Sequence, residues 1–121
     1  MSVVTTDGWE KKFNSSSTKA RIRDGAVVQE VPSVIQTHSG VFVMDKNTPN
    51  LSTVFSTNIK QSIYGNGDEK AFESIRQSLL DPFNSSFRRS DAFLAIIVVS
   101  DEEDFSSKVN TFNESYTNPN L

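Results

Sequence analysis

Residues 93–104 read Phe93-Leu94-Ala95-Ile96-Ile97-Val98-Val99-Ser100-Asp101-Glu102-Glu103-Asp104, seven apolar side chains in a row that end against a serine and four acids. The run lacks the alternation of a strand wetted on one face. Its pattern over residues 94–99 therefore predicts an interior strand covered on both sides, as in a parallel sheet flanked by helices. Such a strand needs lateral partners for its amides and carbonyls, and the rest of the chain offers few. Hydrophobic residues make up 36% of the 121, below the usual soluble share, so burial must be concentrated in a few segments.

Upstream of this run, Ala71, Phe72, Ile75 and Leu79 recur at helical spacing and predict an apolar side. Asn66 can cap that helix, with Glu69 three positions later returning the bond. The helix should stop by Asp81, because Pro82 cannot continue the amide ladder. Leu51, Val54 or Phe55, Ile59 and Ile63 predict an earlier helix from near Ser52 to residues 64–65. Before it, residues 45–50 read as a turn, with Pro49 restraining Thr48. Residues 3–6 predict a short strand ended by Asp7-Gly8, and residues 26–31 and 41–44 are fainter extended segments. The charged, Ser-rich residues 9–25 read as a surface excursion. Phe83 or Phe87 is expected to tuck against the second helix from a loop over 83–90. Beyond Phe105, Val109, Phe112 and Tyr116 could anchor a short helix, and residues 117–121 read as a frayed tail.

Twelve bases against fifteen acids give a net charge of -3, with no basic block beyond Arg88-Arg89. That argues against nucleic acid as a partner. No stretch approaches the ~20 apolar residues of a membrane span, and the residues after Met1 lack the pattern of a secretory signal. Cysteine is absent, which excludes disulfides and thiolate clusters. The one histidine, His38, lies between Thr37 and Ser39 and reads as a surface loop residue. No pair of groups promises separate acid and base roles, and Gly65-Asn66-Gly67 lacks the spacing of a phosphate loop. The chain is therefore expected not to be an enzyme. Asn14-Ser15-Ser16, Asn84-Ser85-Ser86 and Asn113-Glu114-Ser115 fit the short glycosylation pattern.

Three pieces carry a resemblance. They are Val3-Val4-Thr5-Thr6-Asp7, then Gly65-Asn66-Gly67-Asp68-Glu69-Lys70-Ala71-Phe72-Glu73, and finally Arg89-Ser90-Asp91-Ala92 followed by the apolar and acidic run to Phe105-Ser106. Together they resemble the central part of the von Willebrand factor type A (vWA) domain, in the variant of bacterial secreted proteins and lipoproteins. The resemblance implies an α/β fold: a partial Rossmann-like sheet with flanking helices, lacking the central first strand and the C-terminal strands. One incomplete vWA-like domain would then span 1–121, either as a piece of a longer protein or as a subunit completed by another chain. Complete members carry a metal-ion-dependent adhesion site at the strand ends. Here Asp101 matches its third-loop aspartate, Ser62 is a distant substitute for its threonine, and Asp7 would lie at a neighbouring strand end. Asn66, Asp68, Glu102 and Asp104 would form the rim. No Asp-x-Ser-x-Ser segment is present, so the site would be degenerate or completed by a partner, and its ion would be magnesium or calcium. The residues themselves fix no cofactor. The expected function is protein–protein interaction or adhesion, with a protein partner or self-association. The alternative is a metal-free structural subunit that completes its sheet with another chain. By resemblance alone, the location would be the bacterial periplasm or cell envelope.

Overall fold

The computed structural model describes residues 1–25, 37–61, 66–101 and 103–106. In order these contain a 3-10 turn at Gly8–Lys12, helix α1 at Leu51–Ile59, helix α2 at Ala71–Leu80 and a second 3-10 turn at Pro82–Asn84. No strand forms among the described residues. Isolated antiparallel bridges join Val3 to Arg23 and Gly25 to His38. The expected α/β architecture, a partial Rossmann-like vWA sheet, is thereby overturned in favour of a small helical fold. A sheet needs successive amide–carbonyl pairs between neighbouring segments. Of residues 3–6, only Val3 bridges, its carbonyl accepting from the Arg23 amide at 2.8 Å. Residues 94–99 have no hydrogen-bonded neighbour among the described residues. In the expected segment 41–44, Met44 exchanges backbone bonds of 2.8 and 2.7 Å with Met1 but starts no ladder. The expected segment at 26–31, the helix end at 64–65, the anchors Val109, Phe112 and Tyr116, Asn113 and the tail at 117–121 lie outside the described residues.

The core is built on Trp9, which is fully buried with Ala20, Ile22, Met44 and Ala71. Residues 9–25, expected on the surface, thus supply much of the interior. The Trp9 amide donates to Ser74 Oγ at 3.0 Å, and its indole Nε1 donates to the Asp68 carbonyl at 3.1 Å. Over the indole face sits the equally buried Lys70, its Nζ 3.9 Å from the ring centroid. The ring's negative face takes the place of the water the ammonium has lost. Gly8 lets this turn lie against its neighbours, since a Cβ there would stand 3.1 Å from Ala20 Cα and 3.4 Å from Ser74 Cβ.

α2 meets the first 3-10 turn with its small and polar side. Ala71, Ser74, Gln77 and Ser78 are buried, whereas Phe72, Leu79 and Leu80 face out and Ile75 is half-buried. The apolar side anticipated from periodicity is largely the outer side. The reason is steric and polar together: short side chains admit the Trp9 turn, and Ser74 Oγ donates to the Thr6 carbonyl at 2.6 Å. α2 stops at Leu80, ahead of Pro82, as the proline dictates. Its start differs from expectation. Lys70 stands at the N-cap without a side-chain cap bond, while the Phe72 amide donates to Asp104 Oδ1 at 3.1 Å and the Glu73 amide to Ser106 Oγ at 2.8 Å. Two of the orphan amides of the first turn are thus satisfied from a distant segment.

α1 also buries a polar residue. Asn58 is its buried side chain, donating to the Val41 carbonyl at 2.8 Å and accepting from Ser39 Oγ at 2.7 Å, while Phe55 and Ile59 remain exposed. Asn50 precedes α1 in the left-handed region at φ 51°, a conformation asparagine tolerates better than most residues. The anticipated turn ahead of it is present, with Asp45 Oδ1 accepting from the Asn47 amide at 2.8 Å.

Past α2, buried Asp81 caps the second 3-10 turn by accepting from the Phe83 amide at 2.9 Å and pairs with Lys11 Nζ at 2.6 Å. Burial by itself would raise the Asp81 carboxyl. The Lys11 hydrogen bond, the Phe83 amide and the charges of Lys11 and Arg21 outweigh it and hold the group below the ordinary carboxylate range. A carboxyl depressed on folding stabilises the fold above its unfolded pKa, about 4, and that contribution is lost as acid titrates it through the folded value. Asp81→Asn is therefore expected to cost about 2 kcal/mol at neutral pH. The gap from the parent protein should narrow in acid. Urea unfolding at pH 7 and pH 3 measures both, and a gap that does not change with pH would contradict this account.

Candidate functional interface

Residues 93–99 run through the structure without turn, bend or helix, and all seven side chains are exposed. Phe93 is fully exposed, Ile97 is 89% and Val99 86% exposed, against 43% for Leu94, 49% for Ile96 and 46% for Val98. Exposure thus alternates with period two, the pattern of an extended chain whose odd-numbered face points wholly into solvent. None of its backbone groups is hydrogen-bonded among the described residues. β-branched residues dominate, with no charge, proline or glycine. Covering each large side chain would contribute about 1.5–3 kcal/mol, so the segment is a strong local source of association energy.

Its C-terminal end is fastened to the start of α2, and a local ion pair precedes its other end. Before it, the Arg89 guanidinium clasps Asp91 through Nε at 3.0 Å and an Nη at 2.7 Å. After it, Ser100 Oγ donates to Glu69 Oε2 at 2.6 Å, the Phe105 amide donates to the Glu69 carbonyl at 3.0 Å, and Asp104 and Ser106 reach the first turn of α2. A shallow concavity of about 480 Å³ adjoins the start of the segment, lined in part by Met1, Phe87, Arg88, Phe93 and Leu94.

The anticipated metal site is not assembled. Among the described residues, no group of three or more His, Asp or Glu side chains could hold an ion. Asp101 is exposed. Asp7 is buried, accepts from Thr5 Oγ1 and pairs with Lys19 at 3.3 Å, so its charge is already answered. Ser62 and Glu102 lie outside the described residues. Asn66 bonds Glu10 Oε1 at 3.3 Å and accepts from the Asp68 amide at 2.9 Å, Asp68 receives the Trp9 indole, and Asp104 caps α2. Each of these three anticipated rim residues serves the fold. Both functional readings tied to the resemblance fail with these observations: among the described residues there is no ion cluster to be degenerate or completed, and no sheet for another chain to complete.

His38 is exposed, with Nδ1 3.0 Å from Asp24 Oδ1. Of the glycosylation patterns, Asn84 is buried and Asn14 exposed. What the sequence reading missed is that the apolar run is itself the accessible surface. Continuous apolarity signals burial only where neighbours exist, and the scarcity of other strand candidates was the available warning. Among the described residues, no helix is long and apolar enough to cross a membrane. No known protein family, curated protein or solved structure matches this chain.

Proposed function

We propose that this chain is a non-catalytic protein-association module whose recognition element is the extended segment 93–99. The observation that carries the reading is the coincidence, in one unbent stretch, of a continuous apolar surface with a backbone that makes no hydrogen bond among the described residues. Extended segments of this kind bind other polypeptides through main-chain bonds for affinity and alternate side chains for specificity. The outward Phe72 and Leu79 of α2 add apolar surface to the module.

A photo-reactive amino acid placed at Ile97 tests the reading. It should yield covalent protein adducts, in the purified sample or in extract of the source cells, that the same group at exposed Lys46 does not. Val99→Lys in the same chain should suppress them. Equal labelling from positions 97 and 46, or adducts indifferent to Val99→Lys, would overturn the reading.

A further inference from the structure

We infer that the partner of segment 93–99 is the same segment of a second copy, paired antiparallel about Ile96. The inference rests on the association reading above and adds the identity, direction and register of the partner. Charge points to a second copy, which carries both complementary ends, and to the antiparallel direction; overlap of all seven apolar residues sets the register. Residues 88–92 carry two arginines and one aspartate, whereas residues 101–104 are all acidic. Parallel pairing in register would set four acids against four acids at one end. Antiparallel pairing sets the arginine end of each copy against the acidic end of the other, twice. Asp91 against Asp101 of the other copy is an opposition of like charge, once at each end, and it is moderated because Arg89 already pairs with Asp91.

Side-chain shape agrees with this register. With Ile96 facing its own counterpart, Phe93 meets Val99, Leu94 meets Val98 and Ala95 meets Ile97. Residue numbers in each pair sum to an even value, so the outward face of one copy continues into the outward face of the other. Phe93, Ile97 and Val99 of both chains then share one side. Aromatic and β-branched residues opposite one another are favourable cross-strand neighbours, and a seven-residue segment free of charge and proline is suited to pairing with its own kind. This ladder is new in both copies and adds to no existing sheet.

The absence of cysteine makes register directly measurable. Single variants Phe93→Cys and Val99→Cys, mixed and mildly oxidised, should give the mixed disulfide dimer in preference to either homodimer. Sedimentation of the unmodified chain from micromolar to millimolar concentration should show a monomer–dimer equilibrium. Arg88→Glu with Arg89→Glu should weaken it at least tenfold at low salt, and Ile97→Lys should abolish it. Preferential 93–93 and 99–99 disulfides would overturn the antiparallel register while leaving association intact. A monomer throughout, with adducts at position 97 arising only from extract, would overturn the second copy as partner but not the association reading. A monomer with no adducts at all would end both.

Discussion

Trp9→Ala is expected to cost about 3–5 kcal/mol, the range for truncating a large buried aromatic residue. A domain of this size has roughly 5–15 kcal/mol of stability in total, so the variant should unfold at far lower urea than the parent. The argument is local. The remaining buried hydrophobic residues described are Ala20, Ile22, Met44 and Ala71, none of which approaches the indole in area. Truncation also strips Lys70 of the ring that faces its ammonium at 3.9 Å and leaves the Asp68 carbonyl without its indole donor. Trp9→Phe keeps a ring under Lys70 and forfeits the Nε1–H bond, so it should lie between the two. Circular dichroism in urea measures all three proteins, and a Trp9→Ala midpoint equal to that of the parent would show that the core lies elsewhere.

Asn84→Ala should follow closely, with a loss of about 2–4 kcal/mol, because removing a buried polar side chain strands the groups it served. Asn84 Oδ1 accepts from the Ile22 amide at 2.9 Å. Its Nδ2 donates to the carbonyls of Ala20 at 2.9 Å and Ser78 at 2.8 Å. One side chain thereby ties the 20–22 stretch to the end of α2. Ser85→Ala, one residue along on an exposed side chain, should be nearly silent. The contrast between adjacent positions makes the test specific. If both variants unfold at the parent's urea concentration, the clamp contributes nothing.

The features legible in the sequence were those governed by neighbours along the chain. Pro82 ends α2, helical spacing places α1 and α2, and Asp45 with Pro49 marks the turn before α1. What escaped depends on residues far apart in sequence. Asn66 and Glu69 had the spacing of a local cap, yet Asp104 and Ser106 take that role from more than thirty positions away. Ser74 and Asn58 look like solvent-facing residues on a helical wheel, and each is buried because a distant backbone group or hydroxyl meets it. Trp9 sits in a 3-10 turn too short to show any period. The run at 94–99 is the strongest single signal and the most misleading, because continuous apolarity is the mark of a covered strand and this one stands exposed.

The chain leaves α2 at Leu80 and comes back to the same helix at Phe72 and Glu73, so the apolar stretch is a strap whose far end is buckled to the rod it departed from. Whatever lifts the far end of the strap also uncovers the amides of the helix's opening turn. Grip on the strap and fraying of α2 are mechanically joined, and a partner that leaves Asp104 and Ser106 in place meets a tighter target than one that peels them away.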